Sequence, residues 1–127
     1  MAGRRVKVFF DGGCRPNPGH IEVAVVVRGT THLFDDLGEG TNRDAEWLAL
    51  IHAMKVAQTL GPCDVELIGD ALEIVRHANA ALSSSKAAPG HPTTFLDLTK
   101  EIRPARIRWI KREQNLAGIA LSRRRPR

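Results

Sequence analysis

Alternating apolar and polar residues predict three strands in the first forty positions of the chain. The run RRVKVFF ends at Asp11, and the run HIEVAVVVRG follows after a loop rich in glycine and proline. A third and more polar run, THLFDDLGEG, has the pattern of an edge strand. A two-residue turn at Gly29-Thr30 would join the second strand to the third. These runs predict an antiparallel meander.

The apolar period becomes helical after residue 40. The segment TNRDAEWLALIHAMKVAQTLGP predicts a helix that opens with a capping box of Thr41 and Asp44 and stops at Gly61-Pro62. A short strand, CDVELIGD, follows and ends at Asp70. The next segment, ALEIVRHANAAL, predicts a second helix, with the apolar positions Leu72, Val75, Ala78 and Leu82 at helical spacing.

The last third of the chain predicts a loop, two further helices and one strand. In order, these are the loop SSSKAAPGHPTT, the short helix TFLDLTKEI, the strand ARIRWIK and the helix NLAGIALSRR. The element order β-β-β-α-β-α-α-β-α predicts an α/β fold. Its mixed five-stranded sheet would join three antiparallel strands to two parallel ones, with helices on both faces. Trp47 and Trp109 are both predicted to be core residues.

Length and composition narrow the class of protein. With 127 residues, the chain is expected to form one domain, residues 1–127, with a basic, flexible tail at 122–127. It has no apolar run of the ~20 residues that a membrane span needs and no signal peptide pattern. We therefore expect a cytoplasmic monomer with no membrane partner and no small-molecule cofactor. Cys14 and Cys63 are predicted to be free thiols, and no pair of histidines has the spacing of a zinc site.

Charge is distributed unevenly along the chain. The formal net charge is +5, but the segment from Arg103 to Arg127 carries +8 and the remainder carries −3. A basic end on a mildly acidic body favours a polyanionic partner such as nucleic acid, whose binding would depend strongly on salt. A solvated tail without a partner is the alternative interpretation of SRRRPR.

Three acidic residues are predicted to meet at one edge of the sheet. Asp11 ends the first strand and Asp70 ends the fourth, which lies parallel to the first if a helix connects the two. Sites in such sheets form beyond the carboxyl ends of the strands. Glu46 lies one turn into the connecting helix and would face the same edge. For Asp11 alone, a simple Asp-Gly turn is an equally good interpretation.

Three neighbouring carboxylates suggest a site for divalent metal. Like charges raise one another's pKa unless a cation neutralises them. Mg²⁺ and Mn²⁺ prefer oxygen ligands, and two such ions ~3.5–4 Å apart commonly assist phosphodiester hydrolysis.

Four segments together resemble the type 1 ribonuclease H family over nearly the whole chain. They are FFDGGCRPNPG, TNRDAEWLALIHAM, VELIGDALEIV and IRWIKREQNLAGIAL. The resemblance implies endonucleolytic cleavage of the RNA strand of RNA–DNA hybrids with Mg²⁺ or Mn²⁺, leaving 5′-phosphate and 3′-hydroxyl ends. It implies that Asp11 bridges two ions and that Glu46 and Asp70 hold the ion on the leaving-group side.

The resemblance also implies contacts to nucleic acid. The backbone of Gly12, Gly13 and Cys14 would face the minor groove together with Asn17 and read ribose 2′-hydroxyls. Asn42 would lie beside a backbone phosphate. Arg112 would contact the nucleic acid as part of the basic C-terminal segment.

The chain departs from the family pattern in its last motif. The family carries Ala-Asp where this sequence has Ala117-Gly118, so the carboxylate of the nucleophile-side ion is missing and that ion is expected to bind weakly. Glu113 is a possible substitute ligand. The loop before the last helix, KREQ, lacks the histidine that some members carry there, and the basic helical insertion of other members is absent. Three hypotheses remain: an active but impaired ribonuclease H, a degenerate module that binds hybrid or duplex without cutting, and a related domain that acts on another nucleic acid.

Overall fold

The computed structural model describes residues 5–124 of the chain. The predicted order of elements is confirmed, with two short additions: a two-residue strand before the first helix and a 3₁₀ turn at Arg112–Gln114 before the last. The strands are β1 (Arg5–Cys14), β2 (Gly19–Val27), β3 (Thr30–Phe34), β4 (Glu39–Gly40), β5 (Asp64–Gly69) and β6 (Arg106–Trp109). The helices are α1 (Asn42–Gln58), α2 (Leu72–Ser84), α3 (His91–Leu98) and α4 (Leu116–Arg124).

The five main strands form one mixed sheet in the order β3-β2-β1-β5-β6. β1 pairs antiparallel with β2, and β2 pairs antiparallel with β3. β5 runs parallel to β1 and to β6. The α/β class and the three-plus-two arrangement of strands are therefore as predicted, while β4 adds a short pairing at the start of β2.

The sheet separates two apolar layers of unequal size. The larger layer packs α1, α2 and α3 on one face, with Trp47, Phe10 and Phe95 among its fully buried side chains. The smaller layer packs Ala117 and Leu121 of α4 on the other face. The predicted helices on both faces are thus present. None of the helices within residues 5–124 is both long and apolar enough to cross a membrane.

Helix α1 begins where the sequence predicts. Thr41 is the N-cap, its side chain accepts a hydrogen bond from the Asp44 backbone, and the Asp44 carboxylate accepts one from the Thr41 backbone at 2.9 Å. This capping box fixes the first turn of the helix. That turn carries Asn42 and leads directly to Glu46.

Several local predictions are wrong. The hairpin turn is Arg28-Gly29 rather than Gly29-Thr30, because both residues adopt the positive φ angles (51° and 77°) that a tight hairpin of this kind needs. The region predicted as a loop is shorter than expected, since α2 extends to Ser84 and α3 starts at His91.

The predicted flexible tail at 122–127 is wrong for residues 122–124, which continue α4. Arg124 forms ion pairs with Asp35 and, at 3.6 Å, with Glu22. The rest of the predicted tail, residues 125–127, lies outside the described residues.

The two tryptophans have different environments. Trp47 is buried as predicted, with 2% of its surface exposed. Trp109 is not a core residue: 43% of its surface is exposed, and its indole Nε1 donates to the backbone oxygen of Asp70 at 3.1 Å. Trp109 is the last residue of β6, the outermost strand of the sheet.

Candidate active site

Asp11 and Asp70 lie at the same edge of the sheet. β1 and β5 are parallel neighbours with Phe9 opposite Ile68, so Asp11 and Asp70 follow at matching positions two residues later. The predicted meeting of acids from distant parts of the sequence therefore follows from the strand register.

A close approach of β1 to α1 brings Glu46 to this edge. A Cβ atom at Gly12 would lie 2.1 Å from the Ala45 backbone oxygen, so only glycine allows the helix to sit this close to the strand. Glu46 is the next residue along the helix. Gly12 thus has a packing function that the sequence interpretation, which gave it only a contact to nucleic acid, did not anticipate.

The three acids line one cleft of about 290 Å³. The other lining residues include Gly12, Gly13, Cys14, Asn42, Arg112, Gly118 and Glu22. Of the residues predicted for the site, Asn17 and Glu113 are absent from this lining. Glu113 borders a neighbouring pocket that it shares with Gly118 and Arg112.

The electrostatics of the cleft suit a cationic ligand. Burial, reinforced by the charges of Asp70 and Glu46, raises the pKa of Asp11 to about 7, although Arg112 and the Gly12 backbone oppose the shift. Burial and the charge of Asp70 also raise the pKa of Glu46, against the charges of Arg112 and Arg43. Crowded carboxylates with raised pKa values are typical of functional sites.

The acids are not tightly gathered around one point. Within residues 5–124, no three acids, histidines or cysteines are grouped closely enough to enclose a metal ion. The donor set is nevertheless of the right chemistry, since carboxylate oxygens are the ligands that Mg²⁺ and Mn²⁺ prefer.

Gly118 leaves a space between two of the acids. A Cβ atom at this position would lie 3.5 Å from Asp70 Oδ2 and 3.6 Å from Asp11 Oδ2, which is ordinary contact distance. A side chain at Gly118 would thus point into the cleft without a clash. The last motif therefore faces the site although it carries no carboxylate.

Two asparagines, Asn17 in the loop between β1 and β2 and Asn42 in α1, hold this loop to the start of the helix. The Cys14 backbone N–H donates to Asn42 Oδ1 at 3.0 Å, and the Asn42 backbone N–H donates to Asn17 Oδ1 at 3.0 Å. The Cys14 N–H, which was predicted to face the minor groove, is thus already used within the protein. Contacts from Asn17 and Asn42 to a ligand would depend on their Nδ2 donors.

Sequence reasoning missed Glu22 as a cleft residue. Glu22 lies on β2 opposite Gly13, and its side chain is only 12% exposed. Its signal was present in the sequence, because it is the lone acid within the apolar run HIEVAVVV.

Asn115 is a second site residue whose main role was missed. Asn115 directly precedes α4, and its Oδ1 accepts from the Ala117 backbone at 3.1 Å as a helix cap does. Its Nδ2 also donates to the Phe10 backbone oxygen at 3.0 Å and to Asp70 Oδ2 at 2.9 Å. This fully buried side chain therefore joins β1, α4 and one of the acids.

Replacing Asn115 with alanine is expected to lower the free energy of unfolding by about 2–4 kcal/mol, because a cap and two further hydrogen bonds are lost and the Phe10 oxygen is left buried without its partner. Urea denaturation measures this. Asn79→Ala is the matched control, since within residues 5–124 the Asn79 side chain makes one hydrogen bond, to the Ile107 oxygen at 3.0 Å. The free energy of unfolding of Asn79→Ala should fall by closer to 1 kcal/mol. Equal losses in the two variants would contradict the joining role of Asn115.

Stability of the metal-free protein is expected to fall as pH rises towards 7. The pKa of Asp11 is about 7 in the folded protein against an ordinary value of 3.8, so the folded state binds more protons than the unfolded state between these values. The stabilisation that comes from protonation of Asp11 in the folded state is complete below about pH 4 and is lost as pH rises through 7. Relative to wild type, Asp11→Asn should gain on the order of 2–4 kcal/mol between pH 4 and pH 8. Urea denaturation in EDTA across this range tests the prediction, and parallel pH profiles would contradict it.

Comparisons with known proteins agree with this architecture. A model of the reverse transcriptase-like family matches residues 9–125. A curated Ribonuclease HI from Halobacterium salinarum is 38% identical over 84 residues, covering 62% of this chain and 42% of that protein. The match thus spans less than half the length of this relative.

Two solved structures are similar over almost the whole chain. The crystal structure of RNase H1 from Halobacterium salinarum has a TM-score of 0.74 and 27% identity, covering 94% of this chain and 95% of that one. LC11-RNase H1, isolated from compost by a metagenomic approach, was crystallised in complex with an RNA/DNA hybrid. That complex has a TM-score of 0.69 and 26% identity, covering 92% of this chain and 99% of that one. The chain belongs to the reverse transcriptase-like family, and within it to the type 1 ribonuclease H group that its four motifs resemble.

Proposed function

We propose that the protein is a divalent-metal-dependent endoribonuclease that cleaves the RNA strand of RNA–DNA hybrids, with activity reduced by the glycine at position 118. The observation that carries this proposal is the convergence of Asp11, Glu46 and Asp70 on one cleft. Support for the substrate comes from the family and from the complex of LC11-RNase H1 with an RNA/DNA hybrid.

Asp11, Glu46 and Asp70 are the residues that would hold Mg²⁺ or Mn²⁺. A bound divalent ion supplies a Lewis acid that activates water and stabilises the leaving oxygen of a phosphodiester. Asp11 is central because its pKa is raised by both of the other acids. We infer two ion positions, of which the one on the nucleophile side is weak because Gly118 offers no ligand.

The other cleft residues would bind and orient the nucleic acid. Arg112 has a side chain on the cleft wall, where its positive charge would attract a phosphate. Asn42 would lie beside a backbone phosphate. Asn17, in the adjoining loop, and the backbone of Gly12 and Gly13 are suited to ribose 2′-hydroxyls, which distinguish RNA from DNA.

A second candidate function is a module that binds hybrid or duplex without cutting. Gly118 and the loose spacing of the acids favour it. Retention of three crowded acids favours the enzyme, since their mutual repulsion gives a pure binding module no advantage. We infer that residues 1–127 act as one domain, and a cytoplasmic, monomeric state stays a prediction.

The proposal is tested with a panel of end-labelled substrates in Mg²⁺ and in Mn²⁺. The panel contains an RNA–DNA hybrid labelled on either strand, an RNA duplex and single-stranded RNA of the same sequence. We expect cleavage only of the RNA strand of the hybrid, and faster cleavage in Mn²⁺. Intact RNA in both metals, with hybrid binding retained, would leave the binding module as the function.

A further inference from the structure

Half of the sheet face that carries α4 is open. α4 packs on β1, β2 and β3, with its apolar contacts to Phe9, Ala24 and Val26. The first half of β1, together with β5 and β6, extends beyond this helix on the same face. Among the described residues, charged side chains rather than another helix cover this area, which we name the open sheet face.

The open sheet face is predominantly basic. The strand register places Lys7 and Arg106 on either side of Glu66, with Arg5 beside Asp64 and Arg108 beside Ile68. The face thus combines four basic residues (Arg5, Lys7, Arg106 and Arg108) with two acids (Asp64 and Glu66). Arg5, Lys7 and Arg106 are exposed to solvent.

Glu66 is buried beneath the basic side chains and pairs with two of them, Arg5 and Arg108. It is only 5% exposed, Arg108 Nε donates a hydrogen bond to it, and Arg5 lies 3.9 Å away. Burial alone would raise the pKa of Glu66, but the hydrogen bond from Arg108 and the charges of Arg108, Arg106 and Arg5 lower it. Glu66 therefore stays ionised and fixes guanidinium groups whose remaining donors can face a ligand.

The open sheet face lies on the same side of the sheet as the carboxylate cleft, with Phe9, packed against α4, and the fully buried Ile68 between them. Side chains alternate along a strand, so Arg5, Lys7 and Phe9 share a face with Asp11. Lys7 precedes Asp11 by four residues, which corresponds to about 13 Å along β1. A single-stranded extension that leaves the cleft and passes around α4 would therefore reach Lys7 and Arg5.

The width of the open sheet face suits one nucleic-acid strand. Three strands at the usual spacing span about 10 Å. Helix α4 lies beside the open sheet face. A duplex whose major groove alone is about 12 Å wide is too broad to settle on it. A single strand is narrow and flexible enough to follow the sheet.

We propose that the open sheet face binds a single-stranded extension of the substrate through its phosphates. The inference rests on the proposed function, because it takes the cleft as the place where the hybrid binds. The contacts involve charge alone, so binding would be independent of base sequence and sensitive to salt.

The test compares two hybrids by fluorescence anisotropy in EDTA, where cleavage cannot occur. One is blunt, and the other is the same hybrid with a single-stranded RNA tail, placed at the 5′ or the 3′ end. Wild type should bind one of the tailed hybrids more tightly than the blunt one, by roughly 10- to 30-fold at 0.1 M salt if two phosphates are contacted. The double variant Lys7→Gln/Arg106→Gln should lose this advantage and flatten the salt slope of the tailed hybrid by about 1.4.

The matched control is Lys55→Gln/Lys86→Gln, which removes the same charge from exposed positions on α1 and in the loop before α3. It should keep the preference for the tailed hybrid, and both double variants should bind the blunt hybrid like wild type. No tail preference in wild type, or equal losses in the two double variants, would contradict the open sheet face as a binding site. Failure of wild type to bind or cleave the blunt hybrid in Mg²⁺ and in Mn²⁺, as well as in EDTA, would instead contradict the proposed function, and this inference with it.

Discussion

Replacing Asp11 with asparagine is expected to abolish cleavage of the RNA strand while the protein remains folded. Asp11 is the acid whose pKa responds to both Asp70 and Glu46, so its loss affects every ligand position in the cleft. We expect the cleavage rate to fall by about a thousandfold or more, as when a charge-stabilising group is removed from an active site. Calorimetric titration with Mn²⁺ should show weaker binding by the variant.

The control for Asp11→Asn is Asp97→Asn, which removes a carboxylate from α3 outside the cleft. Asp97 pairs with Lys100 at 3.3 Å on the surface and should affect neither cleavage nor Mn²⁺ binding. Equal Mn²⁺ affinity in wild type and Asp11→Asn would contradict the assignment of the metal site, whatever the effect on the rate.

Replacing Gly118 with aspartate is expected to raise cleavage activity by at least about tenfold in Mg²⁺, and by less in Mn²⁺. The new Cβ atom would lie within 4 Å of Asp70 Oδ2 and Asp11 Oδ2, so the carboxylate would join the existing acids. Tighter binding of the ion raises the fraction of protein that carries it more than it changes the cleavage step itself. High metal concentration should therefore narrow the difference between wild type and variant.

Two other effects of Gly118→Asp must be distinguished from its effect on metal binding. Aspartate suits a helix N-terminus better than glycine does, whereas a fourth acid adds repulsion in the metal-free protein. Rates should be compared at a temperature where both proteins are folded. Gly118→Asn is the control, because it changes helix propensity and hydrogen bonding without adding charge. An equal gain in both variants would exclude metal binding as the cause.

The parts of the fold that were predicted correctly depend on strong local patterns. The apolar runs of β1 and β5 are each followed directly by an acid, although β1 continues beyond Asp11 to Cys14. Helix α1 has both a capping box and a glycine-proline pair just beyond its end. Once these elements are fixed, a helical connection makes β1 and β5 parallel, and Asp11 and Asp70 must lie at one edge. This geometry brings distant residues together without any long-range information from the sequence.

The parts that were missed depend on tertiary surroundings. The sequence shows Trp109 in an apolar alternation but does not show that it lies at the end of the outermost strand, where 43% of its surface is exposed. It shows Asn115 as a cap but not that Phe10 and Asp70 lie within reach of the same amide. Glu22 enters the cleft only through the pairing of β2 with β1.

The measurement that tests the central claim most directly is the cleavage of a hybrid with a 5′-labelled RNA strand in Mn²⁺, by wild type and Asp11→Asn side by side. We predict that wild type produces RNA fragments with 3′-hydroxyl ends and that Asp11→Asn leaves the RNA intact. RNA left intact by wild type, or cut equally by both proteins, would contradict a carboxylate-based nuclease site in this cleft.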